Sequence, residues 1–161
     1  MKKVIKKKKV VTKKSSAPKR KKVFVSGCFD MVHSCHVMFF QKAAKYGDLY
    51  VSIGSDKTYR DYKHKDPVYP ENERKFIIEN LKCVKKAFIA RPKGSLGPGV
   101  IDFEAELKKI KPDYFFVNED GVNQEKRDLM KKLGIKLIVG QRSKFGKVER
   151  ASSDLRQILK K

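Results

Sequence analysis

The chain has 161 residues, enough for one domain with a buried core. Its hydrophobic fraction of 40% makes the bulk of it globular, and its formal net charge of +22 makes it strongly basic. Cys28, Cys35 and Cys83 are too few and too scattered for a disulfide framework or a zinc site, no apolar run reaches the length of a membrane span, and the basic N-terminus lacks the apolar segment of a secretory signal.

Residues 1–21 read as a disordered basic arm, and residues 22–161 as the folded domain. Twelve of the 40 Lys and Arg residues fall within 1–22, where there is no acid. The lysine runs repel themselves, and Ser15-Ser16-Ala17-Pro18 breaks the segment like a linker. Such an arm suits contact with nucleic acid or another anionic surface, or nuclear targeting. Without signal or span, the expected compartment is the cytoplasm.

From Lys22 onward the pattern alternates. Val23-Phe24-Val25 is a short apolar strand running to Gly27. Helical spacing over 36–46 puts Val37, Phe40 and Ala44 on one face. Residues 48–53 form a second strand. Pro70 and the acids Glu71 and Glu73 open a helix that continues through Phe76, Ile77 and Leu81. Ala87-Phe88-Ile89 is a third strand, and residues 101–110 a helix stopped by Pro112. Residues 114–117 are wholly apolar, as a strand buried on both faces is. A helix over 124–133 ends at Gly134, a strand covers 135–139, and residues 152–159 form a closing helix. Five strands alternating with helices predict an α/β fold, a doubly wound parallel five-stranded sheet. Ligands of such sheets bind beyond the carboxyl ends of the strands.

The segment from Gly27 to His36 leaves the first strand and begins the first helix. Free backbone N–H groups there attract phosphate, and His33 and His36, three apart, can face the same anion. The competing reading is a pair of capping or half-buried histidines. A second polar segment runs through Ser55, Asp56, Lys63 and Lys65 to Glu71 and Arg74. A third, Arg150-Ala151-Ser152-Ser153, begins the last helix with Ser152 as its N-cap. A fourth, Asn118 to Gly121, follows the fourth strand.

Gly27-Cys28-Phe29-Asp30 followed by His33-Ser34-Cys35-His36 resembles the G-x-F-D and H-x-G-H motifs of cytidylyltransferase-like nucleotidyltransferases. Arg150 to Arg156 resembles their second motif, and the likeness extends over roughly 22–160. The resemblance implies a Rossmann-like nucleotidyltransferase fold. It implies transfer of a nucleoside monophosphate (CMP first, AMP second) from an NTP to a phosphorylated small molecule, with pyrophosphate released. His33, His36 and the loop lysine Lys63 would then be catalytic. Gly27, Cys28, Phe29, Asp30, Cys35, Asn118, Asp120, Arg150, Ser152 and Ser153 would bind the nucleotide. Mg²⁺ would travel with the NTP without protein metal ligands, and the chain would act as a homodimer. Cys35 stands where the family has Gly, which allows close approach of the nucleotide. Arg74 would pair with a phosphate or with a structural carboxylate. The alternatives are a nucleic-acid-binding basic protein and an inactive nucleotide-binding module.

Overall fold

The structure, a computed structural model, describes residues 19–91, 102–148 and 150–158. Most of the basic arm and the loop at 93–99 lie outside these residues. Five strands, β1 (Lys22–Gly27), β2 (Asp48–Ile53), β3 (Val84–Ile89), β4 (Tyr114–Asn118) and β5 (Lys136–Gly140), form one sheet. Its order is β3-β2-β1-β4-β5 and every pairing is parallel. The helices are α1 (Ser34–Ala44), α2 (Asp56–Lys63), α3 (Glu71–Glu79), α4 (Glu104–Ile110), α5 (Gln124–Leu133) and α6 (Ser152–Ile158).

Alternation along the strands builds two cores. Val23 and Val25 point to one face, where Phe39, Phe40 and Ala43 of α1 and Ile78 of α3 cover them. Phe24 points to the other, against Leu107 of α4, Leu129 and Met130 of α5, and Phe115. Each fully buried aliphatic or aromatic side chain contributes about 1.5–3 kcal/mol. The order places the switch point between β1 and β4, whose connections leave toward opposite faces, and that opens a crevice beyond their carboxyl ends.

Several sequence expectations shift. α2 was not anticipated: it carries the whole stretch up to Lys63, so that lysine ends a helix and does not sit in a loop. β3 starts earlier than expected, because Lys85 and Lys86 are exposed on an edge strand. α3 buries Arg74 and Ile78, while Phe76 is 68% exposed. Two residues assigned to the arm, Arg20 and Lys21, are held to the domain. Arg20 pairs with Asp48, Lys21 with Asp113, and the Lys21 carbonyl accepts from Asp48 N. Among the described residues, no helix is long and apolar enough to cross a membrane.

Candidate active site

The loop between β1 and α1 is bent by two non-glycine residues in the left-handed region, Phe29 (φ 49°) and Met31 (φ 59°). Such backbone costs on the order of 1–3 kcal/mol each and persists only where the surroundings enforce it. Here the bend folds the Phe29 ring back over Gly27. A Cβ at Gly27 would lie 2.8 Å from that ring, so only glycine fits. The ring packs edge-on against His36, with centroids 5.6 Å apart. His36 in turn stacks on His33 at 3.9 Å.

His33 occupies the N-cap position of α1, but its side chain makes no capping hydrogen bond. His33 Nδ1 and Nε2 and His36 Nδ1 are buried without a hydrogen-bond partner. Both rings are half-buried, as the competing reading also expects, and neither side chain caps the helix. Burial, the neighbouring His33 and the Arg142 charge push His36 down to about 3. Burial, Arg150 and Arg142 also lower His33. Without a bound anion both rings are neutral near pH 7. Each still offers one N–H donor.

Both rings line the smaller of two adjoining cavities, and His36 borders the larger as well. The smaller, about 230 Å³, is lined by His33, His36, Phe29, Cys35, Asn118, Asp120, Arg150 and Ser152. The larger, about 950 Å³, is lined by Gly27, Cys28, Phe29, Asp30, His36, Lys63, Asp120, Ser152 and Ser153. Each residue expected to catalyse or to bind the nucleotide borders one cavity or the other, whereas Ser55, Asp56, Glu71 and Arg74 of the second polar segment border neither. Ser26, Lys126, Arg142 and Ser143 of the smaller wall, and Thr58, Tyr59, Asp102 and Asn123 of the larger, were not singled out. Asn118 Oδ1 and the buried Ser143 hydroxyl of the smaller cavity also have no partner.

Other residues brace the site. Burial raises the Asp30 carboxyl, but hydrogen bonds from the Tyr69 and Val68 amides and Arg156 outweigh that, and the net shift is downward. The Asp30 carboxylate thus ties the first loop to the segment before α3 and to α6. Arg156 also donates to Tyr59 Oη and to the Asp66 carbonyl. Arg74, with its side chain fully buried, donates to the carbonyls of Cys28, Gly54 and Tyr69 and pairs with Asp56. Of the two partners the sequence allowed it, the structural carboxylate is the one it takes. α6 begins with Ser152 as its first helical residue, one position later than an N-cap. The Ala151 carbonyl accepts from Asp154 N, and the Asp154 carboxylate accepts from Ala151 N.

Cys35 is buried, with Sγ 3.8 Å from the Val148 carbonyl. Burial pushes the Cys28 thiol up, which disfavours a nucleophilic thiolate there. Among the described residues, no three of His, Cys, Asp or Glu are grouped to hold a metal ion.

A parallel α/β sheet whose strand ends carry paired histidines beside two joined cavities defines a nucleotidyltransferase. The chain belongs to the cytidylyltransferase-like family, whose pattern matches residues 24–158. An FAD synthase of Aciduliprofundum boonei is 32% identical over 128 residues, covering 78% of this chain and 80% of that protein. An FAD synthase of Ferroglobus placidus is 34% identical over 119 residues, covering 72% of each. The match to the FAD synthase of Thermococcus onnurineus, 34% identical, spans 63% of this chain and 64% of that one. Among solved structures, a lipopolysaccharide core biosynthesis protein of Thermoplasma volcanium superposes with a TM-score of 0.61. It is 28% identical, covering 78% of this chain and 98% of that one. The pantothenate synthetase of Thermus thermophilus, 13% identical with a TM-score of 0.56, shares the fold over 87% of this chain and 63% of its own. The chain is thus a nucleotidyltransferase.

Proposed function

We propose that the chain transfers AMP from ATP to FMN and releases pyrophosphate. The observation that carries nucleotidyl transfer is the set of unpartnered polar atoms at the smaller cavity: His33, His36, Asn118 and Ser143. Buried polar groups without partners are rare and need an explanation, and a bound nucleotide supplies one. The family resemblance ranked CTP above ATP. The FAD synthase names of several relatives favour ATP, and the size of the larger cavity suits a bulky acceptor.

In this reading an oxygen of the acceptor's phosphate attacks the α-phosphorus in line. The bond from the α-phosphorus to the bridging oxygen breaks, and pyrophosphate departs with that oxygen's electron pair. The protein contributes position and charge stabilisation rather than a nucleophile. His33 and His36 donate to the α-phosphate oxygens, and proximity to phosphate raises their pKa toward the charged form. Arg150 and the hydroxyls of Ser152 and Ser153 hold the outer phosphates, and Lys63 guides the acceptor's phosphate. Asn118 and Asp120 face the ribose and base. Imidazoles, hydroxyls and guanidinium groups suit phosphate rather than a hard cation, so Mg²⁺ arrives as part of the MgATP substrate. The chain works as a homodimer, which light scattering tests.

The test is a pyrophosphate-release screen crossing ATP and CTP with FMN, glycerol phosphate, a sugar 1-phosphate and phosphocholine. ATP with FMN should turn over fastest. Faster turnover of another pair overturns this choice of nucleotide and acceptor.

A further inference from the structure

The two cavities meet along a common wall, and the reaction must occur there, because the acceptor's oxygen has to reach the α-phosphorus. The cationic side chains divide unevenly between the cavities. Arg142 and Arg150 border only the smaller cavity, and Lys63, Lys65 and Arg156 only the larger. His36 and Lys126 border both. His36 is pushed down to about 3 and is neutral before substrate binds. Among the described residues, Lys126 is therefore the one standing positive charge on the common wall.

Its placement is fixed by α5. The Asn123 side chain caps that helix by accepting from Lys126 N at 3.0 Å, which orients the first turn. The Lys126 ammonium donates to the Gly121 carbonyl, one of the three hydrogen bonds an ammonium can give, and the side chain lines both cavities. Burial lowers its pKa, while the charges of Asp102, Glu125 and Asp120 act to keep it protonated.

We infer that Lys126 is a further catalytic residue, whose ammonium contacts the α-phosphate as it passes between the cavities. The inference rests on the nucleotidyl-transfer reading above. A cation held before the reaction stabilises charge on the transferring phosphate without reorganising at the moment of transfer. It complements the two histidines, which supply directional N–H donors but no standing charge.

Two variants test it. Lys126→Met keeps the length of the side chain and removes its charge. It should lower kcat about 10²-fold, on whichever NTP and acceptor pair the screen selects, with an unchanged thermal midpoint. Lys126→Arg should recover part of the loss. A readout independent of turnover uses calorimetry with adenosine and AMP, and with cytidine and CMP. The wild type should bind the monophosphate more tightly than its nucleoside. Lys126→Met should shrink that preference about tenfold, as expected for loss of a charge-assisted hydrogen bond, and leave nucleoside affinity intact. Near wild-type kcat in the folded Met variant, or equal weakening of nucleoside and monophosphate, overturns the role of Lys126 alone. A wild type that binds no nucleotide overturns the nucleotide-site reading and this inference with it.

Discussion

The two cavities differ in chemistry as well as in size. The smaller one gathers Arg142, Arg150, Lys126 and His33 around unpartnered polar atoms, with Asp120 its one carboxylate, so its cationic excess suits a polyanion. The larger one mixes Asp61 and Asp102 with Lys63 and Lys65, and adds the faces of Tyr59, Tyr62 and Phe103. That wall has both signs of charge and broad apolar area, which can discriminate among acceptors through hydrogen bonds of either polarity. On the function proposed above, the contrast divides the labour: one side holds a common donor and the other selects what receives it.

The most severe way to break this arrangement is to remove what supports both halves. Arg74→Ala strips the carbonyls of Cys28, Gly54 and Tyr69 of their donor and leaves Asp56 unpaired. It should cost about 3–5 kcal/mol, seen as a large drop in the denaturant midpoint. Arg74→Lys should not restore it, because an ammonium cannot reproduce the planar fork. A small effect would mean that the two walls stand independently.

Removing the paired histidines, of which His36 borders both cavities, comes next. His33→Ala or His36→Ala should lower kcat about 10²-fold while the fold survives by circular dichroism. Near wild-type turnover in both variants would show that the wall between the cavities is not where transfer happens. A one-sided change should follow with a smaller effect. Arg150→Ala should raise the NTP KM about tenfold, the scale of one charged hydrogen bond, with the acceptor KM unchanged. Steady-state kinetics with each substrate varied decides it, and the reverse pattern would swap the roles of the cavities.

The smallest effect concerns the larger cavity's wall. Burial raises the Asp102 carboxyl above its ordinary 3.8, with the Thr58 hydroxyl and Lys126 opposing. A carboxyl raised in the folded state makes folding bind protons, so this group weakens stability as pH rises. The penalty is absent below the unfolded value and complete above the raised folded one. Asp102→Asn should therefore raise the thermal midpoint by about 1–3 °C near pH 7, with the gain fading in acid. A gain that does not depend on pH would refute this origin.

The parallel sheet was legible because Val23 to Val25 and Tyr114 to Val117 are runs of apolar residues that suit only a strand covered on both faces. The paired histidines were legible because they lie in one short segment at a strand end. α2 was hidden because only Tyr59 of its residues is buried, which leaves no apolar stripe to count. Ser55 capping Thr58 N at 3.1 Å was its one local signal. Lys126, Arg142 and Asp102 escaped notice for a different reason. In a chain with 40 basic residues a single lysine or arginine carries little information, and the sheet order, not proximity in sequence, brings these groups to the crevice.

The tie between Asp30 and Arg156 has a consequence for how the molecule is born. Its two ends are separated by 126 residues, and they join the first loop to the last helix. During synthesis, β1 leaves the ribosome early, the Val68 and Tyr69 amides reach the Asp30 carboxylate next, and its charged partner follows only when α6 has been made. All five strands precede α6, so the sheet can assemble first and the site closes last. Arg156 is then the last partner to reach the loop that carries the histidines.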